Sequence, residues 1–319
     1  MQIDHTIRAL RGSEASQRHA NRALEKARAG WDASAEGAAI LADLDRYAAG
    51  CPIRDCDALH SLFAGSGPDA IIHDLMARYL AVLSTEPLGQ IPLRHAANGK
   101  LSSLLLAASG RVQLSLVAYE PQSNRLETAT FTGGERHECV LAGSARAVLA
   151  TLPTATGEPL TCQELPLKPG VTLAYDGSRQ ALLIRHAPAR AVSLRLVRPV
   201  AADALPTREY RMADGALVRQ SAGDPVASRR EMMASLLTAL APDKAAPLLA
   251  EQARRGPDHQ RWQALRECLS VDTARGFAVL GAIAADTEDG LAAPAAQLKA
   301  QLLRQHPALA QLEAERCPA

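Results

Sequence analysis

Apolar residues recur three and four apart at both ends of the chain and alternate through its middle. EASQRHANRALEKARAG and AEGAAILADLDRYAAG show helical spacing and close on glycine. Asp55 is placed to cap DCDALHSLF, and Pro68 to open DAIIHDLMARYLAVL, in which Ile71, Leu75, Leu80 and Leu83 predict the buried stripe. His73, beside that stripe, reads as a surface polar residue. Residues 1–88 are therefore expected to be an N-terminal helical region.

From about Ile91 the period changes. LSSLLLAA, RVQLSLVAYE, ETATFT, ECVLAG, ARAVLAT, ALLIRHA and AVSLRLVR are short runs separated by Gly, Pro, Asp or Asn. Val112, Leu114, Leu116 and Ala118 fall on one face of a strand, Gln113 and Ser115 on the other. Arg195 likewise lies opposite Leu194 and Leu196. Asp214-Gly215 predicts a hairpin turn within REYRMADGALVRQS. Residues 89–221 thus read as antiparallel β, a sandwich, barrel or jelly roll.

Helical spacing returns from about Pro225, and residues 222–319 are expected to form a C-terminal helical domain, a bundle or a stack of helical hairpins. Asp272 should cap TARGFAVLGAIAA, and Trp262 reads as an anchor between helices. Met232, Leu236 and Leu240, then Leu265, Leu269, Phe277, Leu280 and Ile283, are the apolar stripes to be buried. The fold class is α+β, with a β-barrel or jelly-roll centre between two helical regions.

Aromatic content of 3% leaves Leu, Val, Ile and Ala to build the core. A net charge of +1 gives no reason to expect nucleic acid as a partner. The start, MQIDHTIRALRGSEAS, lacks the apolar core of a signal peptide, and no apolar run reaches membrane-spanning length, so a cytoplasmic protein of bacterial type is expected. Six scattered cysteines read as reduced thiols. Cys51 and Cys56, in CPIRDC, are spaced too widely for a zinc knuckle or a thioredoxin-like pair.

The chemistry-bearing stretch is FTGGERHECVLAGSARAVLATL. On a strand, Glu135, His137 and Cys139 face one way, Arg136 and Glu138 the other. Glu135 and His137 could share a metal, whereas His137 and Glu138 could not. A catalytic site generally needs three protein ligands, for which His95 and His186 are the only other β-region histidines. His137 is expected at a barrel rim, where barrels often take ligands.

ERHECVLAG, ARAVLA, LPLKPGVTLAYDG, QALLIRH and ARAVSLRL together resemble the cupin family over roughly residues 90–200. Val140-Leu141-Ala142-Gly143 and Pro169-Gly170 stand where cupins carry their strand end and turn. The resemblance implies a double-sheet jelly roll. Cupins that bind metal carry two histidines one residue apart, a glutamate, and a histidine in the second motif. Anchored on Gly143, the histidine positions fall near Thr130 and Thr132 and the glutamate at or next to Glu135. VTLAYD, after Pro169-Gly170, holds no histidine.

The expected function is therefore non-catalytic: a binding or regulatory protein on a degenerate cupin-like barrel, with Glu135, His137, His95 and His186 as candidate ligand-binding residues and no cofactor. Its partner would be a small molecule or a protein, with neither nucleic acid nor membrane, and a homodimer is an option. The alternative is a metal-dependent cupin-type enzyme, a dioxygenase or isomerase, holding Fe or Zn through Glu135 and His137.

Overall fold

A computed structural model describes residues 14–64, 68–153, 158–199, 205–223 and 225–314. Helix and antiparallel sheet are both present, and the contacts divide the chain into two units. One is Met1–Val200 with Arg211–Ala216, the other Ala201–Tyr210 with Leu217–Ala319.

The first unit begins with helices α1 (Ala15–Asp32), α2 (Ala35–Ala48), α3 (Asp57–Ser61) and α4 (Pro68–Thr85), with a 3-10 turn at Ile53–Asp55. Ser34 caps α2 by accepting from the Gly37 amide at 3.1 Å. The cap expected from Asp55 is supplied by another residue. Asp43, buried on α2, accepts from the amides of Ala58 (2.8 Å) and Leu59 (3.3 Å), and Asp55 is absorbed into the 3-10 turn. On α4 the buried stripe is Ile72, Leu75 and Tyr79, flanked by half-buried Ile71 and Leu83. Leu80, expected inside, is exposed, because the stripe is rotated from the predicted one.

Eleven of the described strands follow in this unit: β1 (Arg94–Ala97), β2 (Leu101–Ser109), β3 (Val112–Tyr119), β4 (Gln122–Ser123), β5 (Thr128–Phe131), β6 (Glu135–Ala142), β7 (Ala145–Thr151), β8 (Thr161–Leu167), β9 (Thr172–Asp176), β10 (Gln180–Ala187) and β11 (Ala191–Arg198). Ten of them, all but β5, build a six-stranded sheet in the order β1-β2-β3-β11-β6-β9 and a four-stranded sheet in the order β4-β10-β7-β8. The chain crosses between these two sheets at β3–β4, β6–β7, β8–β9, β9–β10 and β10–β11. At the β6–β7 crossing Gly143 has φ +73°, and a Cβ there would lie 2.3 Å from the Arg190 carbonyl oxygen, so only glycine fits.

Alternation along the strands sends successive side chains to two different cores. Leu106, Val112, Leu114, Cys139, Leu194 and Leu196 pack with the helices. Val117, Tyr119, Val140 and Ala191 pack with Ala145, Ala147, Leu167 and Ile184 of the smaller sheet. The central strands of the six-stranded sheet are thus covered on both faces.

The β12 (Thr207–Arg211) and β13 (Leu217–Ser221) hairpin comes next, residues 211–216 counted with the first unit and the rest with the second, with Gly215 at φ +65° in its turn as expected. Helices α5 (Pro225–Leu240), α6 (Pro242–Gln252), α7 (Asp258–Val271), α8 (Thr273–Ala285), α9 (Ala292–Gln305) and α10 (Leu309–Ala314) follow. Each packs chiefly on the next or next but one, the pattern of a stack of helical hairpins. Asp272 caps α8 by accepting from Arg275 N at 2.9 Å, and Trp262 packs against the core of Leu265, Phe277, Leu280 and Ile283. Met232, Leu236 and Leu240, expected in that core, are exposed. The face of α5 that turns inward carries Ala234 and Leu237.

Candidate functional site

Strand β6 divides its charged run between the two faces. Arg136 and Glu138 face the smaller sheet, as do Ser193 and Arg195 of β11, Tyr119 of β3 and Tyr175 of β9, by the pairings Arg195↔Glu138 and Arg136↔Tyr175. Glu138 is 1% exposed. One of its oxygens accepts from the Tyr119 hydroxyl at 2.5 Å; the other accepts from Arg195 Nε at 3.1 Å and Nη2 at 3.0 Å. Arg195 also donates to the Tyr119 hydroxyl and lies 5.8 Å from the Tyr119 ring centre. Burial pushes the Tyr119 and Tyr175 hydroxyls up, with Glu138 adding to both. Burial works to lower Arg195, yet Glu138 leads the interactions that more than offset it and keep the guanidinium charged.

Arg136 differs. It donates to Thr132 Oγ1, and among the described residues no carboxylate forms an ion pair with it. Burial lowers its pKa from the ordinary arginine value. Farther along the same face, opposite Val140 and four residues from Arg136's partner Val197, Ser193 Oγ is buried with no hydrogen-bond partner among the described residues. One carboxylate and two guanidiniums leave this interior with a positive surplus.

The opposite face of β6 carries Glu135, His137 and Cys139. One Glu135 oxygen accepts from the Tyr47 hydroxyl at 2.8 Å and from Arg198 Nη2 at 2.7 Å. Burial works to raise Glu135, but these bonds and the Arg198 charge hold it below the usual carboxylate range. The structure places His137 beneath the N-terminal helices, where a barrel rim was expected. Its ring centre is 6.4 Å from that of Tyr47 and 5.9 Å from that of Phe63.

Burial lowers the His137 pKa, outweighing Glu135, with Arg198 and His60 acting in the same direction as burial. The unfolded chain therefore binds the proton first as pH falls. This histidine's contribution to stability is full above about 6.5 and declines as pH drops through that value toward the folded pKa. His137→Leu is expected to flatten the loss of first-unit stability between about pH 7 and pH 5. Burial lowers His259 of the second unit too, so the measurement follows Trp31 fluorescence in a Trp262→Phe background. An unchanged slope would refute the assignment.

Of the four residues singled out from sequence, the structure brings only Glu135 and His137 together. His95 is exposed on β1, four strand steps from β6, or roughly 19 Å at about 4.8 Å per step. His186 lies on β10, in the other sheet, at a bulge. No group of three His, Cys, Asp or Glu placed to hold a metal occurs among the described residues. The sequence reading missed Arg195, Tyr119 and Tyr175. Their signal was polar residues spaced two apart from apolar ones in strands that turn out to be buried on both faces.

A cavity of about 970 Å³ opens in the second unit beside α5, α6 and α7, where Arg230 and Arg255 stand among Glu231, Glu267 and His259. His259 Nε2 lies 3.7 Å from Glu231 Oε1. These charges balance and select no class of ligand. No described helix is long and apolar enough to cross a membrane. The described cysteines, Cys51, Cys56, Cys139, Cys162 and Cys268, are free thiols; Cys317 lies outside the described residues.

No family model and no curated protein matches the chain. Among solved structures it is similar to a cupin superfamily protein of Desulfitobacterium hafniense, at 21% identity over 32% of this chain and 80% of that one, with a TM-score of 0.24. It is also similar to the CENP-C cupin domain of Drosophila melanogaster, at 10% identity over 39% of this chain and 96% of that one, TM-score 0.28. A third is the capsular polysaccharide assembling protein CapF of Staphylococcus aureus, at 14% identity over 42% of this chain and 38% of that one, TM-score 0.28.

Proposed function

We propose that this chain is a non-catalytic binding protein whose first unit takes a small anionic molecule between its two sheets. The order β3-β11-β6-β9 facing β4-β10-β7-β8 supports a double-sheet jelly roll, because the crossing pairs β3/β4, β11/β10, β6/β7 and β9/β8 stand at matching places in the two sheets. Such an interior is a common place for a ligand.

The observation that carries the reading is the positive surplus at Arg136. A half-buried guanidinium that forms no ion pair among the described residues suits a carboxylate or phosphate, which guanidinium binds through two parallel hydrogen bonds. The same surplus opposes a metal cation. Glu138, the carboxylate on this face, is already held by Arg195 and Tyr119, and His137 points away from it. The residues here do not fit an iron or zinc site.

A panel of mono- and dicarboxylates and phosphate esters, screened by thermal shift, is expected to contain at least one stabilising anion. At a hundred times its dissociation constant the gain would be about 2.7 kcal/mol. Arg136→Gln should abolish that gain. The protein as purified should carry well under one equivalent of iron, zinc, nickel or manganese. Near-stoichiometric metal that His137→Ala removes would overturn the reading in favour of an enzyme. A panel in which no anion stabilises would overturn the ligand class.

A further inference from the structure

The segment CPIRDC links α2 to α3 on the helical side of the first unit. Its 3-10 turn, Ile53–Asp55, brings the ends of the segment together. Cys51 acts on Cys56 across this turn, raising its thiol. Arg46 Nη2 stands 3.9 Å from Cys51 Sγ and donates to the Asp55 carbonyl at 2.7 Å, so one guanidinium spans the segment. Arg198 Nη1 fixes the near end by donating to the Cys51 carbonyl at 2.9 Å and the Tyr47 carbonyl at 3.0 Å.

The two thiols differ in access. Cys51 is half-buried and reachable from solvent; Cys56 is fully buried. Burial pushes the Cys56 thiol up to about 11, and Cys51 adds to this, so it stays protonated at neutral pH. Two thiols that only fill space would need no guanidinium at the outer sulfur. An outer thiol beside a cation, with a second thiol behind it, is the arrangement of a reactive and a resolving cysteine.

We propose that Cys51 and Cys56 form a peroxide-responsive pair that closes to a disulfide. This does not rest on the anion-binding reading. Cys51 Sγ, as thiolate, attacks one oxygen of hydrogen peroxide. The O–O bond breaks, Cys51 becomes a sulfenic acid, and the departing hydroxide takes up a proton to leave as water. Cys56 Sγ then attacks Cys51 Sγ. The S–O bond breaks, the S–S bond forms, and the hydroxyl leaves as a second water with the Cys56 proton. Two thiols are oxidised by two electrons and one peroxide is reduced. Arg46 meets the negative charge on the outer sulfur during the first step.

The test uses the reduced full chain treated with hydrogen peroxide and digested with trypsin. Cleavage after Arg54 separates the cysteines, so the disulfide appears as two peptides joined until a reductant is added. Joined peptides forming before exposed Cys162 is modified are the expected result. Cys56→Ser should stop the reaction at a Cys51 sulfenic acid that dimedone traps, and Cys51→Ser should leave Cys56 unmodified. Arg46→Gln should slow the first step by roughly tenfold, the worth of one charge-assisted hydrogen bond. Because Arg46→Gln also loses contacts to Asp43 and Asp55, its fold is checked by circular dichroism, and the Cys56→Ser trapping stands independently. Cys51 passing to sulfinic acid without joined peptides, or Cys162 reacting while Cys51 stays reduced, would overturn the proposal.

Discussion

Glu138→Leu is expected to destabilise the first unit by about 3–5 kcal/mol, the cost of leaving one member of a buried ion pair uncompensated. Glu138 is 1% exposed and is the carboxylate that neutralises Arg195, itself one-fifth exposed at its side chain. Leucine fills a similar volume but accepts nothing, so a guanidinium and the Tyr119 hydroxyl lose their shared partner at once. Since domains are stable by about 5–15 kcal/mol, the loss would be a large part of the whole. The double variant Glu138→Leu/Arg195→Met should recover most of it, because removing both charges also removes the desolvation they suffer. Urea unfolding followed by Trp31 fluorescence, with Trp262→Phe as background, reads the first unit separately. A loss under about 1 kcal/mol in the single variant, or no recovery in the double, would show that Glu138 is not the anchor of this interior.

The same burial explains what could be read from the sequence. β2, β3, β6, β7, β10 and β11 were visible because each alternates or runs apolar over seven to nine residues. β1, RHAA, was invisible because all four of its residues are exposed and no apolar period exists. β8, TCQELPL, hid behind a proline and a largely exposed face. Alternation correctly separated Glu135, His137 and Cys139 from Arg136 and Glu138. It could not say which side was solvent, because neither is. One face meets α1 to α4 and the other meets the second sheet. The rings packed on His137, Tyr47 of α2 and Phe63 of the turn after α3, come from far away in sequence, and no local pattern contains them.

Leu196 tests that two-sided burial directly. It is 0% exposed on β11, paired in register with Leu114 on one side and His137 on the other, and it belongs to the core shared with Leu59, Leu62, Leu75 and Tyr79. Leu196→Ala should cost the first unit about 2–5 kcal/mol, through lost burial and a cavity that a sheet hydrogen-bonded on both sides closes poorly. Leu240 is the control. It matched the helical period equally well in the sequence, yet it is 81% exposed at the end of α5, so Leu240→Ala should stay within about 0.5 kcal/mol. The two substitutions delete the same atoms, and their difference measures what the surroundings contribute. Equal losses in urea unfolding, each read by its own unit's tryptophan, would overturn the placement of Leu196 in a core made jointly by helices and sheet.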